Sequence, residues 1–585
     1  MTEAEKTHSI NIIKPFIMRK DLQRLITLII LLSSALTRIS AQDFTYGNLE
    51  YTINDDDTTV TLTGHVDGYD ATGALTIPTT AYYYGNSYTV TIIDSQAFYY
   101  CEGLTGPLVI PNTVEEIGDL AFYKCTGLTS LTLSNNLIEI GDDAFDYCGF
   151  TGTITIPASV EYIGYTPFYC CDGIEGFVVD NGNQDYDSRN NCNAIILSYN
   201  DELVIGCKNS TIPNTVESIG EDAFNHVSGL TSITIPNSVT EINGWSFWFT
   251  GLTSINIPSS VTYIGENPFA GCAGLAAITV ENNNPVFDSR NGCNAIVKTS
   301  TNELISGCQS TIIPDDVTTI GNNAFYYCSN MTGELIIPES ITSIGEYAFE
   351  YCTGLTGPLN IPNSVIELGE SAFANCSGFS GGLKISESLT VIRDWTFEEC
   401  AGFTGDLVIP DAVTTIGSSA FEGCHGFDGN LTISKNTVSI SNFAFASCSG
   451  FEMAISLAEN PPVLGNYSFG GFGSTLLYVP NGSEGDYQNS AWSEQFTNIL
   501  PYNESTSEFD SSTVSVYPNP THGIVKIESE NLRNISIFNV LGETMFESEV
   551  SGDVYEYDFR DYEVGVYLVK VTTDNGVTTI RETVY

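Results

Sequence analysis

Fourteen phenylalanines recur along this chain at a nearly constant spacing, and no other feature of the sequence restricts the fold as strongly. They are Phe98, Phe122, Phe145, Phe168, Phe224, Phe247, Phe269, Phe325, Phe349, Phe373, Phe397, Phe421, Phe445 and Phe469. Successive members are 22 to 24 residues apart, except at two places where the separation is 56. Such a period is typical of stacked repeats, in which each unit contacts only its neighbours. The sequence therefore predicts a solenoid whose function lies on a long surface.

The first segment of each repeat predicts a very short strand, which an irregular coil follows. In the unit from 359 to 379, Leu359 and Ile361 alternate with a polar residue and precede Pro362, which is typical of a strand that points two side chains inward. The apolar residues up to Phe373 complete the inner lining. A repeat of this length leaves no room for a long helix, so we expect a mainly β solenoid with irregular coils.

Both ends of the array depart from the repeat. Residues 42–93 alternate between apolar and polar side chains, which predicts a strand-rich N-terminal cap for the solenoid at 94–470. Beyond it, Trp492, Phe496 and Ile499 follow at helical spacing. We interpret residues 471–502 as a C-terminal cap that contains a short helix.

The repeat resembles the BspA-type leucine-rich repeats, whose unit runs Leu-x-Ile-Pro-x-x-Val-x-x-Ile-Gly-x-x-Ala-Phe-x-x-Cys. The resemblance extends from roughly Leu104 to Phe469. It implies a right-handed leucine-rich-repeat solenoid at the cell surface, of a kind often associated with adhesion to host proteins or to other cells. It transfers no binding site residue by residue.

Eleven of the sixteen cysteines lie three residues after a repeat phenylalanine, one in each coil. The ladder that we predict includes Phe349, Phe373, Phe397 and Phe421 together with Cys352, Cys376, Cys400 and Cys424. Side chains on stacked strands are about 4.8 Å apart, whereas a disulfide needs Cβ atoms about 3.8 Å apart. We therefore predict free, buried thiols that act as small apolar side chains.

The two long separations hold matching inserts, near 180–210 and 281–311. Each joins two apolar runs across a polar turn, which predicts a hairpin. A cysteine pair stands at the opposed ends of each hairpin, Cys192 with Cys207 and Cys293 with Cys308. Each pair is either a disulfide or two free thiols. An Asp-Ser-Arg sequence also occurs in both inserts, and its repetition favours a structural turn over a catalytic cluster.

The N-terminal 41 residues have the pattern of a secretory signal peptide. From a start at Met18, the basic residues Arg19 and Lys20 precede an apolar run from 25 to 36 that is too short to span a bilayer. A small residue precedes Gln42, where we expect the mature chain to begin. No transmembrane segment is expected in that mature chain.

A polar linker at 503–512 leads into a small C-terminal domain at 513–585, whose alternating segments predict an antiparallel β-sandwich. Its motifs are Tyr517-Pro518-Asn519-Pro520, a segment 537–542 and another that begins at Gly565 and contains Tyr567. In combination they resemble the type IX secretion (Por secretion system) C-terminal sorting domain. That resemblance implies handling by outer-membrane type IX machinery, followed by surface attachment or release.

The composition excludes several classes of function. Lys and Arg total 19 against 71 Asp and Glu, a net charge of -52 that opposes nucleic acid and anionic membranes. No zinc-ligand spacing, phosphate-binding glycine loop or nucleophile elbow is present. We therefore predict no metal, no cofactor and no catalytic residue, although the many carboxylates leave a glycosidase pair open.

Aromatic residues cluster near the repeat phenylalanines, mostly at the two positions that follow each of them, where side chains should point outward. The candidate ligand-binding residues are Trp245, Trp248, Phe249, Tyr326, Tyr327 and Tyr351. Rigid amphipathic rings suit contacts with proteins or glycans. The alternative is that these rings only shield the edges of the coils.

These observations favour a secreted or surface-attached, non-catalytic adhesin that binds host or neighbouring-cell proteins through the solenoid surface. The alternative is a glycan-binding or structural surface protein. A hydrolase would require a catalytic site that the motifs do not reveal.

Overall fold

A computed structural model describes residues 42–502, 515–517, 523–539, 544–560, 562, 565–573 and 576–584. The predicted signal peptide, the linker and the motif residues Pro518, Asn519 and Pro520 lie outside the described residues. The described chain forms two compact units, one comprising the residues up to 381 together with 393–402 and the other comprising 382–392 together with the residues from 403 onward. Among these residues, no helix has the length and apolar character needed to cross a membrane.

The N-terminal cap is a sheet onto which the first coils are added. Its strands are Asp43–Tyr46, Leu49–Ile53, Thr59–His65, Thr80–Tyr83 and Asn86–Ile93. The last of these pairs in parallel with Glu116–Ile117, the first short strand of the solenoid. Phe44 and Tyr51 of the cap belong to the same hydrophobic core as the first coils. The cap therefore covers the apolar edge that the first coil would otherwise expose to water.

Two rows of short strands run through the first unit. One row consists of Glu116–Ile117, Glu139–Ile140, Tyr162–Ile163, Tyr186–Asp187, Ile195–Leu197, Glu202–Ile205, Ser218–Ile219, Glu241–Ile242, Tyr263–Ile264, Phe287–Asp288, Ile296–Lys298, Glu303–Ser306, Thr319–Ile320, Ser343–Ile344 and Glu367–Leu368. The other consists of Gly106–Val109, Leu128–Thr132, Gly152–Ile156, Ile174–Val179, Ser254–Ile257, Ala277–Val280 and Leu359–Asn360. Short 3-10 turns lie at Gly68–Asp70, Arg189–Asn191 and Arg290–Gly292. These short stacked strands confirm the mainly β solenoid.

The repeat phenylalanines of this unit stack in three runs. The runs are Phe98 to Phe168, Phe224 to Phe269, and Phe325 to Phe397, with ring centroids 4.8 to 5.8 Å apart and planes within 14° of parallel. Each run ends at an insert or at the end of the unit. The inserts thus interrupt the phenylalanine stack.

The ladder cysteines donate to the backbone of the preceding coil. Cys352, Cys376 and Cys400 place Sγ 3.0 to 3.1 Å from the carbonyl oxygen of the phenylalanine one coil earlier. Each buried carbonyl thereby gains a weak donor inside an apolar core. All sixteen cysteines are free thiols, and Cys424 is fully buried.

Two left-handed residues flank thirteen of the fourteen repeat phenylalanines, and at Phe269 only Gly271 has a positive φ. Tyr347 and Tyr351, two positions before and after Phe349, have φ values of 56° and 59°. This alternation directs the N–H of Phe349 to the Ala372 carbonyl of the next coil at 2.8 Å, and the two tyrosine N–H groups make matching bonds. The bonds between coils hold a conformation that non-glycine residues otherwise avoid.

The second unit continues the same architecture. Its strands are Leu383–Lys384, Val391–Ile392, Leu407–Val408, Thr415–Ile416, Asn430–Ile433, Ser439–Ile440, Met453–Ser456, Val463–Leu464, Leu476–Pro480 and Asn498–Tyr502. Phe421, Phe445 and Phe469 stack at 5.2 and 5.3 Å.

The C-terminal cap contains two short helices, Glu484–Gln488 and Trp492–Gln495. Trp492 is fully buried and donates its Nε1–H to the Pro462 carbonyl at 2.8 Å. The expectation of a helix that includes Ile499 was wrong. That residue lies in Asn498–Tyr502, which pairs in parallel with Leu476–Pro480 and completes the edge of the sheet.

The described residues of the C-terminal domain form one antiparallel sheet of five strands. They are Ser515–Tyr517, Ile524–Asn539, Thr544–Asp558, Gly565–Thr573 and Gly576–Val584. Val525, Ile535 and Val569 lie in its core. Of the predicted motif residues, Tyr517 is exposed, and the buried Tyr567 packs 5.6 Å from the Phe559 ring.

Candidate functional site

A continuous row of aromatic side chains runs along the coils of the first unit, and we call it the aromatic row. Its members are Tyr69, Tyr99, Tyr100, Tyr123, Tyr147, Tyr169, His226, Trp245, Trp248, Phe249, Tyr326, Tyr327 and Tyr351. Adjacent rings have centroids 4.2 to 6.4 Å apart. Most of the rings are half-buried, because each one lies against its neighbours.

All six predicted ligand-binding residues belong to this row. Trp248 lies 5.5 Å from Trp245 and 5.3 Å from Phe249, and Phe249 lies 5.0 Å from Tyr327. Tyr351 stacks on Tyr327 at 4.2 Å, and Tyr326 contacts Trp245 at 5.9 Å. Six residues that are far apart in the sequence therefore form one connected cluster.

The sequence analysis missed His226. Its ring lies 4.6 Å from Tyr169 and 5.2 Å from Trp248, so that it carries the aromatic row across the first insert. The signal was available, because His226 stands two residues after Phe224, a position that aromatic residues occupy in several other coils.

The insert hairpins act as wedges between coils. The N–H of Gly206 donates to the Ala223 carbonyl at 2.7 Å, the bond that the repeat register would assign to the N–H of Phe168. The second insert repeats this arrangement with Gly307 and Ala324 at 2.8 Å. The coil of Phe168 and the coil of Phe224 are therefore separated at the first insert.

Side chains seal the gap at the second insert. The buried Asn267 donates to the Asn323 carbonyl and accepts a hydrogen bond from Ser306 Oγ at 2.8 Å. The Asn323 side chain in turn donates to Glu266. These polar groups span the space that the wedge creates.

The first insert lacks this seal, because other residues stand at the equivalent positions. Thr166 takes the place of Asn267, Ile205 that of Ser306, and Asp222 that of Asn323. A cavity of about 470 Å³ lies between the coils of Phe168 and Phe224. The unsealed split between these coils therefore opens into the interior of the solenoid.

A second depression, of about 510 Å³, adjoins this cavity, and we call it the acidic recess. Its lining residues are Asp143, Asp146, Tyr165, Thr166, Tyr169, Glu221, Asp222, Asn225, Trp245, Trp248 and Tyr326. Four carboxylates and five aromatic rings thus surround one opening, and no Lys or Arg is among them. Within residues 42–502, none of the four carboxylates forms an ion pair.

Burial strongly perturbs two of these carboxyl groups. Burial, together with the neighbouring Asp143, raises the pKa of Asp146 to about 8, although its Oδ1 accepts a hydrogen bond from the Tyr169 N–H at 2.9 Å. Burial also raises the pKa of Asp222 to about 6, against the opposing effect of a 2.7 Å hydrogen bond from Asn225. Both carboxyl groups accept hydrogen bonds from neutral donors, and Asp146 also interacts with the Asp143 side chain.

A polar chain links Asp222 to the aromatic row. Asn225 Oδ1 lies 2.6 Å from His226 Nδ1, and His226 Nε2 lies 3.2 Å from the Tyr169 hydroxyl. Burial lowers the pKa of His226, which favours the neutral ring. In the neutral tautomer consistent with these contacts, Nδ1–H donates to Asn225 and Nε2 accepts from Tyr169.

The Asp-Ser-Arg segments stabilise turns. Arg189 pairs with Asp187 and with Asp201 across the hairpin, and Ser188 Oγ accepts a hydrogen bond from the Val179 N–H at 2.9 Å. The second insert repeats the pattern, with Arg290 Nε 2.9 Å from Asp288 Oδ1.

The four insert cysteines are present as free thiols that contact carbonyl oxygens. Cys207 and Cys308 have Sγ–O distances of 3.3 Å to Asn193 and Asn294, and Cys192 and Cys293 contact Ala194 and Ala295 more loosely. Among the described residues, no three His, Cys, Asp or Glu side chains are grouped so that they could hold one metal ion.

Comparisons with known proteins identify both parts of the chain. The BspA type leucine rich repeat region matches in several copies, at residues 87–200, 204–293, 303–428, 404–483 and 429–512. The secretion system C-terminal sorting domain matches residues 515–584. No curated protein matches the chain.

Several solved structures are similar. A leucine rich cell surface protein from Faecalibacterium prausnitzii A2-165 is 25% identical over 71% of this chain and 95% of its own, with a TM-score of 0.41. A leucine-rich repeat protein from Eubacterium ventriosum ATCC 27560 is 17% identical over 74% and 95%, with a TM-score of 0.39. One from Bacteroides ovatus ATCC 8483 is 21% identical over 79% and 100%, with a TM-score of 0.29.

Proposed function

Because the chain belongs to the BspA-type leucine-rich-repeat family and carries a secretion-system C-terminal sorting domain, we propose that it is a non-catalytic adhesin. Its solenoid binds extracellular proteins of a host or of neighbouring cells. The sorting domain marks it as a secreted or outer-membrane surface protein.

The aromatic row is the observation that supports this proposal. A repeat needs its inward phenylalanines for stability, but it does not need aromatic rings at outward positions. In the second unit, the position after the phenylalanine carries Glu422, Ala446 and Gly470, and those coils stack equally well. The outward rings between Tyr69 and Tyr351 are thus more than the fold requires, and such rings are enriched in the centres of protein interfaces.

The test uses the full-length secreted protein on arrays of extracellular-matrix proteins and of glycans. We expect binding to at least one protein. The double variant Trp248→Ala/Phe249→Ala should weaken that binding at least about tenfold, the effect of losing one interface hot spot. Tyr263→Ala is the control, because Tyr263 is 53% exposed and lies outside the aromatic row and the acidic recess.

Circular dichroism of each variant establishes that the solenoid is folded. Unchanged protein binding by the folded double variant would contradict a role for the aromatic row. Binding to glycans alone would instead favour the glycan-binding alternative.

A further inference from the structure

One end of the aromatic row binds a lysine side chain of the same protein. Lys124 lies two residues after Phe122, and its ammonium group is 4.5 Å above the Tyr100 ring, 5.7 Å from the Tyr123 ring and 5.5 Å from the Tyr147 ring. It also donates to the Tyr100 hydroxyl at 3.0 Å. The faces of tyrosine rings attract cations through their quadrupole. One end of the aromatic row is therefore already occupied by an ammonium group of the protein.

The acidic recess repeats these conditions without a cation of its own. Tyr165, Tyr169 and Trp248 provide aromatic surface there, as the three tyrosines do around Lys124. The recess adds four acidic side chains, and no basic side chain lines it. Residues 42–502 contain only eight Lys and Arg against 53 Asp and Glu, so that few basic side chains of the chain itself could fill it.

Three of the four acidic side chains of the recess accept hydrogen bonds from neutral donors. Asp143 Oδ1 accepts a hydrogen bond from Thr166 Oγ1 at 2.6 Å, and Asp146 and Asp222 accept from an N–H group and from an amide. Asp146 is buried, Asp143 and Asp222 are half-buried, and removing such groups from water without a positive partner carries a desolvation cost. An ammonium group in the recess would offset that cost, and it would contact the ring faces at the same time.

We infer that the acidic recess binds the side-chain ammonium group of a lysine on a partner protein. This inference rests on the proposed function, because it names the group through which the partner is held. The acidic side chains of the recess are not grouped so that three of them could hold one metal ion, and together with the aromatic faces they fit an organic cation. The wedge at the first insert creates this site, whereas Asn267 and Ser306 fill the corresponding space at the second.

The experiment titrates the full-length protein with the peptide acetyl-Gly-Gly-Lys-Gly-Gly-amide and follows tryptophan fluorescence. Trp245 and Trp248 line the recess, so that the signal reports this site. The comparison peptide carries Nε-acetyl-lysine in place of lysine. We expect acetylation to weaken binding at least about tenfold, because it removes the positive charge.

Matched variants localise the effect. Asp222→Asn keeps the shape and the acceptor for Asn225, yet removes one charge, and we expect about tenfold weaker binding of the lysine peptide. Glu339→Gln removes the same charge from an exposed position outside the recess and should change binding less than about twofold. Trp248→Ala should abolish saturable binding.

Two results would overturn the inference: equal affinity for the acetylated peptide, or unchanged affinity in Asp222→Asn. Failure here combined with loss of protein binding in the Trp248→Ala/Phe249→Ala variant would leave the proposed function intact. If the lysine peptide binds but no protein on the arrays does, the recess would still be a lysine-binding site and the adhesin proposal would be wrong.

Discussion

Replacing Gly206 by alanine tests the wedge that separates the coils. A Cβ at this position would lie 2.0 Å from Phe224 Cε1 and 2.4 Å from Cδ1, whereas carbon atoms pack best at about 3.5 to 4.0 Å. The ring cannot move freely, because it stacks on Phe247 at 5.1 Å with the planes 5° apart. Movement of the hairpin instead would strain the hydrogen bond from the Gly206 N–H to Ala223.

The expected cost follows from these two responses. Overpacking a core costs about 1 to 3 kcal/mol, and a weakened hydrogen bond adds about 1 kcal/mol. We therefore expect Gly206→Ala to lower the free energy of unfolding by about 2 to 4 kcal/mol. Gly307→Ala should act in the same direction, because its Cβ would lie 2.1 Å from Phe325 Cε1.

Urea unfolding monitored by far-ultraviolet circular dichroism measures the change. Gly382→Ala is the control, since a Cβ there meets no atom within 4 Å. It should leave stability unchanged or raise it by up to about 1 kcal/mol through the unfolded chain. If Gly206→Ala matched this control, the wedge would not be packed as described.

Three further outcomes are expected. Phe373→Ala removes a fully buried ring that is stacked on both sides, and it should lower the free energy of unfolding in urea by about 3 to 5 kcal/mol. Phe443 is 41% exposed, so Phe443→Ala should lower it by only about 1 kcal/mol, and equal losses would contradict the ladder. The pKa of the Asp146 carboxyl group is about 8 in the folded protein, above its value in the unfolded chain, so the wild type loses stability as pH rises from about 4 to 8. At pH 8, Asp146→Asn should therefore melt several degrees above the wild type, whereas at pH 4 the two should melt at the same temperature. An increase in melting temperature that does not vary with pH would refute this assignment. Alkylation in concentrated guanidinium chloride should modify all sixteen thiols, and modification of only twelve would mean that both insert pairs are oxidised. Without denaturant, burial should protect the thiols from alkylation, and the pKa values of Cys101 and Cys170, each raised to about 11, should slow the reaction further.

Most of the fold could be predicted from the repeat period in the sequence. Phe349 and Cys352 recur at fixed positions, so that their burial follows from the period alone. The left-handed backbone was not foreseen, because Tyr347 and Tyr351 are not residues that signal positive φ. There the hydrogen bonds between coils override the local preference.

The acidic recess was harder to predict than the aromatic row. The two inserts look alike in sequence, but the first has Thr166, Ile205 and Asp222 where the second has the sealing residues Asn267, Ser306 and Asn323. Asp146 and Asp222 were hidden among 71 acidic residues. Their significance depends on burial and on neighbours from distant coils, which no local pattern records.

The most direct test of the account is site-specific photocrosslinking to the protein ligand identified on the arrays. A photoreactive phenylalanine analogue replaces either Tyr165, which lines the acidic recess and is 52% exposed, or Tyr263, which lies outside it and is 53% exposed. Recognition at the first insert predicts a covalent complex from position 165 and none from position 263. A complex that forms only from position 263, or equally from both, would contradict recognition at the first insert.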